Sequence, residues 1–353
     1  MKKRLLSLMM ILTLSAAMVG CGNKAVSTDA TDDAANTEVT ADGKVYKVGI
    51  VQYVDDASLN QIVANLESQL DELGKENGCT FEYEDYYYNG QADATTINQI
   101  VTELINDEVD VLVPIATPTA MICQSATEDN QIPVVFAAVS DPESAGLVAS
   151  NDAPGANVTG TSDALNTQAV FDLIFEQDRD ISKVGLLYDK SQDASTGPIK
   201  EAKAILDAAG VEYVEKTGTS NDEVMLAADA LVAAGVDAVF TPTDNTIMKC
   251  ELAIYEKFID AGIPHYCGAD SFALNGAYLG YGVNYATLGK ETANMVAQVL
   301  VDGKNPAELP VKLLDNGTAT VNTETAAALK LDYDKLRDMC DGFVEVQTAE
   351  EFE

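Results

Sequence analysis

The stretch VYKVGIVQYVDDASLNQIVANLESQLDELGK, residues 45–75, changes its hydrophobic period halfway along. Residues 45–54 form a short apolar run rich in Val, Ile and Tyr, the composition of a strand covered on both faces. From Ser58 onward, Leu59, Ile62, Val63, Leu66, Leu70 and Leu73 recur near the 3.6-residue period of a helix with one buried face. A covered strand feeding an amphipathic helix is the unit from which parallel sheets with crossover helices are built.

The alternation continues downstream. Strands are predicted at 83–88, 111–116, 133–139 and 146–148, with helices at 93–106 and from Thr119, which completes one open sheet near Gly160. The pattern then restarts, with helices predicted at 165–175, 199–209, 223–234 and 246–261 alternating with strands at 184–188, 211–215, 238–241 and 265–268. After a run at 278–283, the helical segment 286–301 has no strand partner left in the second half and is expected to cross back and cap the first. A strand at 318–321 and a helix at 325–330 return. The expected class is α/β, two doubly wound parallel-sheet lobes joined by a multi-strand hinge. Lobe 1 comprises 45–160 plus 284–312, and lobe 2 comprises 161–283 plus 313–353.

Upstream of this pattern the chain carries Lys2, Lys3 and Arg4, an apolar run at 5–18, and Gly20 beside Cys21. Residues 1–20 read as a signal peptide, because the apolar run is shorter than the roughly 20 residues of a membrane-spanning helix. Met18-Val19-Gly20-Cys21 resembles the bacterial lipobox, with an ordinary secretory cleavage site as the alternative. The expected location is therefore extracytoplasmic, anchored to the cell membrane by lipid on Cys21. Residues 21–44 would be the lipidated cysteine and a disordered tether, since Asp, Thr, Ala, Ser and Asn dominate and no aromatic residue offers surface to bury.

The formal charge is −36, and it becomes −39 without Lys2, Lys3 and Arg4. Such a surface repels phosphate backbones and anionic headgroups, which excludes nucleic acid as a partner. Beyond that exclusion the acidity reads as solubility. Apart from Cys21, the cysteines are Cys79, Cys123, Cys250, Cys267 and Cys340, with no CxxC pair and no zinc spacing. They are either buried free thiols or include one disulfide such as Cys250 to Cys267.

In an open parallel sheet, ligands sit beyond the carboxyl ends of the strands, where helix starts offer free amides. Those positions hold Tyr53, Asp55 and Asp56, then Thr117 and Thr119 around Pro118, then Ser140 and Asp141. The second half supplies Tyr188, then Thr243, Asp244 and Asn245, then Asp270. A zwitterion needs hydroxyls or amides for its carboxylate and a carboxylate for its ammonium, and this set contains both. Tyr53 and Tyr188 could sandwich a side chain, or pack ordinarily at strand ends. Helix capping is an equal alternative for Thr117, and turn formation for Asp141 and Asp244. Enzyme chemistry finds little material: His265 is the sole histidine, no P-loop occurs, and Gly280-Tyr281-Gly282 lacks the third glycine of a dinucleotide fingerprint. No catalytic residue, metal or cofactor is expected.

Several stretches together resemble one family: Gly49-Ile50-Val51-Gln52, Asn89-Gly90-Gln91-Ala92-Asp93, Ala116-Thr117-Pro118-Thr119-Ala120, the run from Ile132 to Pro142 with Phe136-Ala137-Ala138-Val139-Ser140-Asp141-Pro142, Ala145-Gly146-Leu147-Val148, Asn157-Val158-Thr159-Gly160, and Gly282-Val283-Asn284-Tyr285. They are similar to the tryptophan-binding-lipoprotein-like substrate-binding proteins of ABC importers. The resemblance implies a type I periplasmic-binding-protein fold, cleft closure on an amino acid, most often an aromatic one, and delivery to an ABC permease and its ATPase by a monomer. One departure is Asp56-Ala57, where the family often has His-Pro. Other readings are a receptor for another small solute, such as a branched amino acid or a nucleoside, and a surface ligand receptor or adhesin of the same fold.

Overall fold

The computed structural model describes residues 43–349 and 351; the expected signal segment, Cys21 and nearly all of the tether lie outside the described residues. Strand β1 (Val45–Gln52) leads to α1 (Ala57–Asn77). Asp56, in extended backbone, stops the strand and starts the helix by accepting the amides of Ser58 at 2.9 Å and Leu59 at 3.3 Å. Gly78 ends the helix at φ 65°, a left-handed conformation that suits glycine.

The first half continues through β2 (Thr80–Glu82), β3 (Tyr87–Asn89), α2 (Ala94–Asn106), β4 (Val111–Ile115), α3 (Thr117–Ala126), β5 (Val134–Phe136) and β6 (Val158–Ser162). The second half runs α4 (Thr167–Gln177), β7 (Lys183–Tyr188), α5 (Asp193–Ala209), β8 (Glu212–Thr217), α6 (Asn221–Ala234), β9 (Ala238–Thr241), α7 (Asn245–Met248), α8 (Glu251–Ala261), β10 (His265–Cys267), α9 (Asp270–Leu274) and β11 (Leu279–Gly282). The chain ends with α10 (Tyr285–Leu300), β12 (Lys312–Leu313), β13 (Thr318–Asn322), α11 (Thr323–Leu329), α12 (Asp334–Arg337) and β14 (Gly342–Val346).

Two seven-stranded sheets result, in the orders β12-β6-β5-β4-β1-β2, with β3 also on β1, and β14-β13-β11-β10-β9-β7-β8. Every pairing is parallel except β11 with β13, so the second sheet is mixed. Alternation along each strand divides the apolar residues between two faces. In the first sheet, Val48, Ile50, Val113 and Val135 point to α1 and α10, while Val51, Leu112, Val134 and Phe136 point to α2 and α3. In the second, Val184, Leu186 and Phe240 pack with α4 and α5, while Leu187 and Val239 pack with α6 and α8. The two lobes of a type I periplasmic-binding-protein fold are built this way, and α10 returns to pack along α1 as its unpartnered pattern predicts. The core on the α1 side runs on into the second lobe through Leu59, Met248, Phe272 and Val283.

The chain passes between the sheets after β6, β11 and β12. These crossings are tied together: the Leu314 amide donates to the Ser162 carbonyl at 3.2 Å, the Gly317 amide to the Gly282 carbonyl at 3.1 Å, and Asn316 Nδ2 to the Ala164 carbonyl at 2.5 Å. They form a three-segment hinge.

Some elements depart from the sequence pattern. The strand predicted at 83–88 is two short strands separated by a 3-10 turn at Glu84–Tyr86. Val45 pairs with Thr80 but Ile50 with Tyr87, so the register slips by two residues and the turn takes up the excess. Residues 146–148 are turn, because the Leu147 and Val148 amides both go to the Pro142 carbonyl and meet no strand. The helix predicted at 246–261 is broken into α7 and α8. Conversely, α5 starts at Asp193 although Gly197-Pro198 reads as a boundary; Ser195, fixed by Asp244 at 2.6 Å, anchors its first turn. The five cysteines among the described residues are free thiols, so Cys250 and Cys267 do not pair.

Candidate functional site

The carboxyl ends of the strands in the two sheets face a common gap, and twelve residues there line a narrow cavity. From lobe 1 come Ser58 and Leu59 on α1, Ala116 and Thr117 entering α3, Ala138 and Ser140 beyond β5, Asp163 beyond β6, and Tyr285 at the start of α10. Lobe 2 adds Ala194 on α5 and Thr243, Asn245 and Met248 beyond β9. The space open to the centre of a water-sized sphere is about 20 Å³, so anything larger than water enters only when the lobes part.

Asp163 supplies the negative charge of this cavity. It is 4 % exposed, and its carboxylate accepts the Ser140 hydroxyl at 2.9 Å and the Tyr285 hydroxyl at 3.3 Å. Burial pushes its pKa above the usual carboxylate range, and those hydroxyls pull it back. None of the ion pairs among the described residues involves it. A buried anion with hydroxyl partners and no cation leaves acceptor capacity for an ammonium group.

The start of α3 is the positive counterpart. Its N-cap is Ala116, at φ 77° and ψ 152°, a region that normally requires glycine, and no side chain caps the helix. Ala138 across the cavity is also at positive φ, 54°. Thr117 is buried on the lining, and the Thr119 hydroxyl one turn in is buried without a partner. Uncapped amides and hydroxyls at the dipole's positive end suit a carboxylate. The start of α1 differs, because Asp56 already occupies its amides.

Of the residues singled out from the sequence, the cavity gathers Thr117, Ser140, Thr243 and Asn245. Tyr53 is half-buried, and burial, with the nearby charges of Asp189 and Asp244 of lobe 2, raises its pKa. The others serve the frame. Asp55 is exposed and holds Asn60 at 2.8 Å, Asp56 caps α1, and Asp141 accepts the Ser144 amide at 3.0 Å. Tyr188 turns away and donates to Glu215 at 2.8 Å, and burial, with that bond, pushes its hydroxyl up to about 12. Asp244 is fully buried and accepts the amides of Asp189, Thr246 and Ile247 as well as the Ser195 hydroxyl. Asp270 bonds to Ser58 and Gln61.

Asp163 escapes sequence reading when the first lobe is closed at Gly160. Val158–Ser162 is a full strand, and its carboxyl end places Asp163 where the strand-end rule would look. Ser58, Tyr285 and Met248 escape as well, because they lie in the first turn of a helix rather than at the strand ends where ligands are sought. Among the described residues there is no cluster of metal-ligating side chains, and no helix is long and apolar enough to cross a membrane.

The ABC transporter substrate binding protein family matches residues 47–336. A tyrosine-binding protein of Clostridioides difficile is 30 % identical over 340 residues, covering 95 % of each chain. An ABC domain in complex with L-Trp from Streptococcus pneumonia superposes with a TM-score of 0.78 at 28 % identity, over 85 % of this chain and all of that one. The ligand-free, open structure of a substrate binding protein with adhesive properties from Clostridium difficile gives 0.66 at 27 % identity, over 86 % of this chain and all of that one. A two-lobed fold with its cavity at the strand ends and a family match across both lobes lead to one conclusion: the chain belongs to the ABC transporter substrate binding protein family.

Proposed function

We propose that this chain captures an aromatic α-amino acid outside the cytoplasm and presents it to an ABC permease driven by its ATPase. The observation that carries the reading is the pairing, in one interlobe cavity, of Asp163 with the uncapped start of α3. The ligand ammonium bonds Asp163 and its carboxylate takes the amides and hydroxyls at Thr117. The side chain lies toward Leu59, Ala194 and Met248, the apolar part of the lining contributed by both lobes. Relatives that bind tyrosine and L-Trp support the aromatic class. On this reading Cys21 carries the lipid, residues 1–20 are removed, and the receptor works as a monomer on a tether.

A thermal-shift screen tests the proposal. L-Trp, L-Tyr or L-Phe at 100 times its dissociation constant adds about 2.7 kcal/mol of stability. Leucine and adenosine give no shift. A shift from adenosine alone, or from none of the amino acids, removes the assignment. A second, adhesive role is favoured only by likeness to the Clostridium difficile protein; retention of the purified chain on epithelial cells tests it.

A further inference from the structure

Outside the cavity, one carboxylate spans the gap between the lobes. Asp270, the first residue of α9 in lobe 2, accepts Ser58 Oγ at 2.5 Å on one oxygen and Gln61 Nε2 at 2.9 Å on the other. Ser58 and Gln61 lie three apart on α1 of lobe 1, which places both donors on one face of that helix. The Ser271 amide closes the arrangement by donating to Ser58 Oγ at 3.1 Å. No contact here is local: the bonded residues are more than two hundred positions apart in the chain.

We propose that Asp270 is the latch of the closed receptor, a positioning residue that holds the lobes together over the ligand by gripping Ser58 and Gln61. This rests on the amino-acid-receptor reading for the ligand's identity, though not for the closure itself. The physics suits a latch that must reopen. Bonds to a carboxylate are stronger than neutral ones, but burying the carboxylate without a cation costs much of that gain. When the lobes part, Asp270 regains water and Ser58 and Gln61 find solvent partners. The balance is therefore modest and specific to the closed form. Ser58 also lines the cavity, so one residue borders both the ligand space and the latch.

The test uses the full chain with spin labels at Asn98→Cys on α2 and Lys200→Cys on α5, one exposed position in each lobe, on a Cys21→Ser, Cys79→Ser, Cys340→Ser background. Interlobe distances are measured without and with saturating L-Trp, and its association and dissociation rates are measured in parallel. Asp270→Ala is expected to move the distance distribution toward the open form and to raise the dissociation rate about tenfold with little change in association. Asp270→Asn, whose amide can accept from Ser58 and donate to Gln61 Oε1, should restore both values. Gln61→Leu tests the same contact from lobe 1 should Asp270→Ala fold poorly, and it should give a smaller shift in the same direction. Wild-type distances and dissociation rates in Asp270→Ala and Gln61→Leu would overturn the latch. If the wild type binds no L-Trp, the amino-acid reading fails while the distances still decide: an open shift in Asp270→Ala reversed in Asp270→Asn sustains the latch, and its absence overturns it.

Discussion

At the level of single residues, the buried carboxylates divide by what faces them. Asp163 faces the cavity, and Asp163→Asn keeps the size and the Ser140 contact while removing the charge. Losing a charge-assisted bond of about 1.5–3 kcal/mol should weaken amino-acid affinity on the order of tenfold to a hundredfold, measured by calorimetry, with the thermal midpoint of the free protein held or raised. Asp56 faces inward, and burial pushes its carboxyl up to about 7, with Asp270 adding to the rise and the amides it caps opposing it. A carboxyl whose pKa rises on folding contributes stability that is fully present below its ordinary value near 4. That contribution is lost as the pH climbs through about 7. The urea midpoint should fall between pH 5 and pH 8. Asp56→Asn, which still caps α1, should flatten that fall by about 1 kcal/mol or more. Asp244, raised to about 6 mainly by burial, shares the window, so part of the fall remains. An unchanged slope in Asp56→Asn would show that the carboxyl is not titrating there.

Among the elements, α1 and α10 pack closely against each other. Gly289 sits where an added Cβ would come 2.4 Å from the Ile62 carbonyl oxygen and 3.1 Å from the Leu66 amide nitrogen. Those neighbours are backbone and cannot rotate aside, so Gly289→Ala should cost about 2 kcal/mol or more, read as a lower denaturant midpoint at unchanged slope. This contact also marks what the sequence could disclose. The apolar period of 286–301 announced a helix without a strand partner, and the helix does return to lobe 1. Nothing in that period names Gly289 as the contact. Strands such as Ala238–Thr241 were legible because they are short, apolar and bounded by turn residues. The antiparallel β13 and the two-residue slip at Tyr83 were not, since pairing direction and register depend on distant partners. The same holds at the site. Thr117, Ser140, Thr243 and Asn245 could be placed from strand ends, but a side chain's direction could not, so nothing in the sequence shows that Tyr188 turns to Glu215 or that Asp244 is taken up by amides and Ser195.

For the whole molecule, charge and function pull apart. A net charge of −36 is set against a handful of ion pairs, mostly exposed, among the described residues. Folding crowds that charge, and at low ionic strength the repulsion reaches across the surface, whereas at about 0.1 M salt the screening length is only about 10 Å. Raising NaCl from about 10 to 200 mM should therefore raise the thermal midpoint by several degrees. Ligand capture should not follow. A zwitterion carries no net charge, and on the proposed reading its two ends would meet a carboxylate and a helix start inside a narrow cavity. Its affinity is then nearly independent of salt over the same range, whereas a cationic ligand drawn in by the acidic surface would lose affinity steeply. Titrations of L-Trp at the two salt concentrations separate these outcomes. Matching dissociation constants fit capture by local groups, and a large loss at high salt would assign the attraction to the surface as a whole.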